Sequence, residues 1–397
     1  MEKQSKLRTS AISASIVPSE IRIMSVECER VKGINLAQGV CDTPTPDLIR
    51  RAAEEAIAAG INQYVRMDGI PPLRQAIARK LLSYNGIDAD PEREVLVTSG
   101  STGAFYAACT ALLDPGDEVI AFEPFYNYHT NLIAALGAKP VIIALPAPDW
   151  EIDRDALTHA ITSRTKAIIV NSPANPGGKV FTRDELEFIA DLAQRHDFFV
   201  FTDEIYEYFL YDGRKHISMA TLPGMSERTI TISGFSKTFS VTGWRLGYLA
   251  CAARWKPAMA YFHDLTYICA PSPLQVGVTA GLNELGDVFY AELAADYANK
   301  RDMLCDALMK AGLKPSIPQG AYYVLADASS LPGRDSKQRA MALLERAGVA
   351  AVPGSAFFRP ETPSANNMLR FCFAKTEADL AEGCRRLSAL EGAGAAA

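Results

Sequence analysis

Residues 233–248 read SGFSKTFSVTGWRLGY, and the rest of the chain is arranged around this stretch. A β-branched run, Thr229–Ile232, precedes it and a second strand-like run, Leu246–Ala250, follows, so the segment is a turn between two strands. The turn is rich in hydroxyls and carries Lys237, with Arg245 eight residues later. Burial at a strand end disfavours the ammonium form of a lysine and frees the amine for nucleophilic attack. An arginine keeps its charge and presents a planar fork suited to phosphate. The plain alternative for a lysine beside Ser and Thr is a solvated loop, and the flanking sequence has to decide between the two.

Working outward, the strand-like runs are Val95–Thr98, Glu118–Phe122, Val141–Leu145, Ala167–Asn171, Phe198–Thr202, Thr229–Ile232 and Arg245–Ala250. Helical patterns fit between them at 102–113, 128–136, 155–163, 182–196 and 254–267. Near-continuous apolar strands alternating with helices predict an α/β domain over 46–285, with a mainly parallel central sheet flanked by helices. Upstream, Pro46 opens a helix from Asp47 to Ala59, with Leu48, Ala52, Ala56 and Ile57 as its apolar spacing, and a second helix starts at Pro72 and runs through Leu82. Beyond about residue 285 the rhythm changes to a long helix (Val288–Gly312), a strand (Ala321–Ala326), a helix (336–347), a strand (Met368–Phe373) and a last helix (Glu377–Leu390). This α+β part has no evident core partner except the irregular segment 1–45, so 1–45 and 286–397 are expected to form a smaller domain together. The terminal EGAGAAA is expected to fray.

Composition narrows the function classes. An apolar content of 48% with 22% charged residues describes a globular protein, and a net charge of −6 without a basic tract argues against nucleic acid. No apolar run reaches the roughly 18 residues needed to cross a bilayer, so no membrane partner is expected. The N-terminal MEKQSKLRTSAISAS has no apolar secretory segment. Eight scattered cysteines without a CxxC pair favour free buried thiols and a cytoplasmic location. Five histidines without HExxH spacing give no reason to expect a metal site.

Four further strand ends carry suitable chemistry. Val95–Thr98 runs into Ser99-Gly-Ser-Thr-Gly103 and a helix, where small residues leave backbone N–H groups and a positive dipole end for an anion; an ordinary glycine-rich helix start is the alternative. Glu123-Pro-Phe-Tyr126 ends the next strand with aromatics. Asn171-Ser-Pro-Ala-Asn175-Pro-Gly-Gly178 reads as a tight turn. Phe199-Val-Phe-Thr-Asp203-Glu-Ile-Tyr206 ends an apolar strand in an acid, which needs a cationic or donor partner if buried.

Taken together, Ser236-Lys237 followed by Thr242-Gly-Trp-Arg-Leu-Gly-Tyr248, with the four strand ends in order, closely resembles the class I/II pyridoxal-phosphate-dependent aminotransferases of the aspartate-aminotransferase-like fold. The resemblance spans about 34–385. It implies that Lys237 forms a Schiff base with pyridoxal 5′-phosphate and shuttles the Cα proton. Asp203 would hold the ring nitrogen protonated, Tyr206 and Asn175 would meet the 3′-oxygen, and Tyr126 would stack on the ring. Gly100, Ser101, Thr102 and Arg245 would hold the phosphate, with Ser233 and Ser236 beside them. Gly39 and Arg370 would bind the substrate carboxylate, with Asn175 adjacent. Tyr64 would reach a neighbouring subunit's phosphate, which implies a homodimer with composite sites. This chain has Asn175-Pro-Gly-Gly where the family has Asn-Pro-Thr-Gly, and Val65 follows Tyr64 where Thr is usual. The implied substrates are an amino acid and a 2-oxo acid. Two other readings stay open: another reaction of the same cofactor (β-lyase, decarboxylase, oxidase or synthase), and a cofactor-binding sensor domain of a transcription regulator, which would need a basic DNA-binding module. No motif selects the side chain bound. Arg22 and Arg66 are candidates for a distal carboxylate, while Phe125, Tyr126, Tyr128 and Tyr267 would suit an apolar or aromatic group.

Overall fold

The protein is seen in a computed structural model that describes residues 20–390 together with residues 7, 9, 10, 12 and 13. The frayed end expected at 391–397, and most of the N-terminal polar segment, lie outside the described residues. The segment expected to be irregular holds a helix, Glu20–Arg30, and a first strand, β1 (Ile34–Asn35). That helix buries only Met24 and Cys28 among its apolar residues, too narrow a stripe to stand out in the sequence.

A seven-stranded sheet follows from β2 (Val95–Thr98), β3 (Glu118–Glu123), β4 (Lys139–Ala144), β5 (Thr165–Asn171), β6 (Phe199–Asp203), β7 (Thr229–Gly234) and β8 (Gly247–Ala250). Its spatial order is β2-β8-β7-β6-β5-β3-β4. The run β7-β6-β5-β3-β4 is parallel, and β8 pairs antiparallel with both of its neighbours. The sheet is therefore mainly parallel, as the alternation predicts. Alternate residues feed different cores: Ile168, Val170 and Val200 pack on one face, Ile169 and Phe201 on the other. Covering both faces is what makes these strands read as unbroken apolar runs. The edge strand β4 is only half-buried and begins with an exposed Lys139. β8 starts two residues later than expected because Arg245 takes a left-handed backbone with φ 52°.

Helices Gly100–Leu112 and Lys256–Tyr267 pack together on the Ile169 face. Helix Arg183–His196 is set by a capping box between Thr182 and Glu185. The helix expected to end at Leu82 runs Pro71–Lys80 and then one wider turn, Leu81–Asn85, closed by Gly86. In helix Asp47–Ala58 the buried face is Ile49, Ala53 and Ala56, while Ile57 is exposed. That face meets helix Ser272–Glu284, which the sequence reading leaves unassigned; a Cβ at its Gly281 would lie 2.6 Å from Ile49 Cδ1, so the contact depends on glycine.

Beyond helix Asp287–Lys310, strands β9 (Lys314–Ser316), β10 (Tyr323–Asp327), β11 (Val349–Ala350), β12 (Val352–Pro353) and β13 (Met368–Cys372) appear. Four form an antiparallel sheet ordered β12-β13-β10-β9, and β11 pairs in parallel with β1. Both ends of the described chain thus meet there. One apolar cluster joins this part (Leu325, Leu369) to the Val200 face of the large sheet. Among the described residues, no helix is long and apolar enough to cross a membrane.

Candidate active site

The carboxyl ends of β3, β5, β6 and β7, the turn after β2, and β13 from the second sheet converge on one cavity of about 350 Å3. Asp203, the last residue of β6, is 9% exposed. Its Oδ2 lies 3.1 Å from His129 Nε2, and its Oδ1 accepts from the Ile205 N–H at 3.3 Å. His129 is held between the Phe105 ring at 4.5 Å and Tyr126, which meets it edge-on at 5.2 Å. A buried carboxylate needs such partners, and the Asp203 side chain still lines the cavity.

Lys237 sits in the turn after β7, half-buried, and its Nζ donates to the Gly39 carbonyl at 3.3 Å. The Tyr322 hydroxyl donates to the same carbonyl at 3.2 Å, and the Tyr322 ring lies 5.7 Å from Nζ. Tyr206 hydrogen-bonds the Tyr323 hydroxyl at 3.3 Å. Burial pushes the Tyr206 phenol well above its usual range, so it stays a proton donor.

Arg370 projects from β13 and is 1% exposed. Nη1 donates to Asn175 Oδ1 at 2.9 Å and Nη2 to the Ala37 carbonyl at 3.0 Å. Its plane packs on the Tyr323 and Phe357 rings at 4.2 and 4.7 Å. Nε has no hydrogen-bond partner, and no carboxylate pairs with this guanidinium among the described residues. A buried charge without a counter-ion, facing a cavity, is a site for an anion.

A second anion site lies across the cavity. Gly100 adopts φ 72° at the start of helix Gly100–Leu112, and Ser101 and Thr102 line the cavity from its first turn. Arg245 folds back onto this turn: Nη1 donates to the Thr242 carbonyl at 3.0 Å, and Nη2 lies where a Gly100 Cβ would come within 2.6 Å. The preceding Ser99 N–H is bound by His263 Nε2 at 3.0 Å, and burial holds the His263 imidazole below its usual pKa and therefore neutral.

Of the residues singled out from the sequence, Gly39, Ser101, Thr102, Tyr126, Asn175, Asp203, Tyr206, Ser236, Lys237, Arg245 and Arg370 all line this cavity. Ser233 does not. It lies within β7 with its hydroxyl donating to Glu207 at 2.8 Å, in a buried polar network away from the cavity. There Glu204, Glu207 and His216 cluster, and the Lys80 ammonium, 2.5 Å from Glu207, supplies the cation. Tyr64 is 78% exposed and does not line the cavity of its own chain. Arg66 is tied to Asp68 and Glu92 and leaves the candidates for a distal carboxylate, whereas Arg22 lines the cavity. Tyr128 and Tyr267 line an adjoining lobe of about 620 Å3, and Phe125 a small pocket beside Trp150. The sequence reading missed His129, His263, Tyr322 and Tyr323. Only the adjacency of Tyr322 and Tyr323 to the start of a strand was there to flag any of them.

The donor set fits a phosphorylated pyridine aldehyde: Arg245 and a helix start for phosphate, Asp203 for a protonated ring nitrogen, and the Lys237 amine for the aldehyde. Tyr206 and Asn175 could serve the ring oxygen. The family model "aminotransferase class I and II" matches residues 31–387. Kynurenine–oxoglutarate transaminase 1 of Homo sapiens is 36% identical over 378 residues, covering 87% of this chain and 90% of that protein. The aspartate aminotransferase of Pyrococcus abyssi is 38% identical over 343 residues, covering 86% and 88%. The solved N-succinyldiaminopimelate aminotransferase from Mycobacterium tuberculosis superposes with a TM-score of 0.93 at 38% identity, covering 96% of this chain and all of that one.

Proposed function

This chain belongs to the class I and II aminotransferases and is a pyridoxal-phosphate-dependent aminotransferase acting on amino acids and 2-oxo acids; from that premise we propose how its residues divide the work. Bound pyridoxal phosphate supplies an electron sink for the pair left at the substrate Cα when its proton departs. Lys237 would hold the cofactor through its amine and, as a general base and acid, would move the proton at the substrate Cα. The Gly39 carbonyl, 3.3 Å from Nζ, orients that amine. Asp203 keeps negative charge at the ring nitrogen and is itself held by His129. Tyr206 and Asn175 would serve the ring oxygen, Tyr126 would pack on the ring, and Arg245, Gly100, Ser101 and Thr102 would hold the phosphate with Ser236 beside them. Arg370 grips the substrate carboxylate, with Gly39 and Asn175 around it.

The observation that carries this reading is Arg370, fully buried, without an acidic partner among the described residues, and lining the same cavity as Lys237. We extend the proposal to the assembly. The working unit is a homodimer in which the exposed Tyr64 serves the partner's phosphate, each protomer divides into 46–285 and a smaller part from both chain ends, and the free thiols suit the cytoplasm. The test is stoichiometric. Holoenzyme given an amino donor without acceptor should release one oxo acid per site and stop, and added 2-oxo acid should restart release. Elimination products or carbon dioxide in place of the oxo acid would refute it.

A further inference from the structure

Tyr323 touches three parts of the site at once, and its hydroxyl has no role in the division of work above. It opens β10 and lines the cavity. One face of its ring packs against the Arg370 guanidinium at 4.2 Å. Its hydroxyl runs so close to Gly39 that a Cβ there would lie 1.9 Å from the oxygen, so the phenol fits only because residue 39 has no side chain. Gly39 is also the residue whose carbonyl receives Lys237 Nζ. Packing on Arg370 accounts for an aromatic ring at position 323, but not for its hydroxyl.

Among the described residues, the hydrogen-bond partner of that hydroxyl is Tyr206, which donates to it at 3.3 Å from the other part of the chain. Both residues are buried, each 3% exposed. A phenol has a single proton, and its O–H turns to suit its neighbours. In the assignment above, Tyr206 gives that proton to the cofactor's ring oxygen, which leaves the Tyr206 oxygen as an acceptor. The Tyr323 proton can then satisfy it; otherwise a buried hydroxyl is left without its bond. A donor into Tyr206 polarises the Tyr206 O–H and strengthens its own donation. The other titratable or charged groups around Tyr206 are Tyr126, Asp203 and Lys237 on the side of the large sheet, with Tyr322 and Arg370 opposite, and none of them hydrogen-bonds its hydroxyl.

We propose that Tyr323 is a positioning residue: in the loaded enzyme its hydroxyl donates to Tyr206 and so sets how strongly Tyr206 donates to the cofactor's ring oxygen. The inference rests on the placement of that ring oxygen at Tyr206. A hydrogen bond to the ring oxygen favours its negative charge, so a stronger donor lowers the pH at which the bound cofactor gives up its proton. Removing the Tyr323 hydroxyl should therefore raise that pH.

The test is a pH titration of holoenzyme without substrate, read from the cofactor's absorbance. Tyr323→Phe keeps the ring against Arg370, and its melting curve checks the fold. Because one hydrogen bond strengthens the next by roughly 10–30%, its midpoint should rise by about 0.2 pH unit or more above wild type. In a Tyr206→Phe background the same substitution should move the midpoint by less than half as much, since both changes act on one chain of hydrogen bonds. A smaller rise or a fall in Tyr323→Phe overturns the inference, as does a rise of which half or more persists without the Tyr206 hydroxyl. Failure of the underlying reading looks different: Tyr206→Phe alone would then leave the midpoint at its wild-type value.

Discussion

Gly100→Ala probes the phosphate end of the site through two separable effects. Gly100 holds φ 72°, and a side chain in that left-handed region costs roughly 1–2 kcal/mol. The new Cβ would also lie 2.6 Å from Arg245 Nη2 and 3.0 Å from its Cζ. Because Arg245 is exposed and flexible, the guanidinium would swing away rather than break the fold. Losing one charge-assisted hydrogen bond to phosphate costs about 1.5–3 kcal/mol, roughly 10- to 150-fold in cofactor affinity. The first effect should appear in denaturant unfolding of apoprotein, the second in titration of apoprotein with pyridoxal phosphate. Gly243→Ala, in the Thr242–Trp244 turn just before Arg245, is the control, since its Cβ would meet nothing within 4 Å. Combined with Arg245→Ala, the Gly100 substitution should add little further loss of affinity, because both act on one contact. If Gly100→Ala destabilises the apoprotein as expected but binds cofactor within twofold of wild type, Arg245 does not hold the phosphate.

Asp203→Asn should retain cofactor and lose about 3 kcal/mol or more of transition-state stabilisation, seen as at least a hundredfold drop in kcat; turnover within a few-fold of wild type would make Asp203 a structural acid. His263 has its pKa lowered from 6.5 by burial, and its Nε2 accepts from the Ser99 N–H. The unfolded chain therefore takes up this proton first as pH falls, so the stability tied to the neutral imidazole is complete above about pH 6.5 and lost on acidification below it. His263→Gln, which keeps an acceptor but does not titrate, should flatten the stability profile between neutral and mildly acid pH, and an unchanged slope would contradict this. Tyr64→Phe protomers mixed with Lys237→Ala protomers should give hybrids with one site carrying both lesions and one carrying neither. Cofactor retention at the intact site should match wild type, whereas a fully active monomer would refute composite sites.

The sheet and most of the site were legible because the relevant residues end apolar strands, where a change from β-branched to polar residues is visible in one chain. What escaped notice depends on contacts between distant segments. His129 and His263 sit inside helices with nothing in their neighbours to mark them, and their roles exist only because Asp203 and Ser99 are brought to them. Ser233 was misplaced because proximity to Lys237 in sequence says nothing about which way a strand residue points, and its hydroxyl turns toward Glu207. Helix Ser272–Glu284 is built on glycines and small residues that fit against Ile49, a complementarity that apolar periodicity does not register. Arg22 and Arg66 look equivalent on paper, and only the fold shows one neutralised by Asp68 and Glu92 while the other faces the cavity.

Lys237 is the residue proposed to be joined to the cofactor. Borohydride reduction of holoenzyme, followed by proteolysis and mass mapping, tests it most directly. One reduced cofactor per chain is expected, on Lys237 alone, and none in Lys237→Ala, whose fold should be intact. A cofactor adduct on any other lysine of the wild-type protein would contradict it.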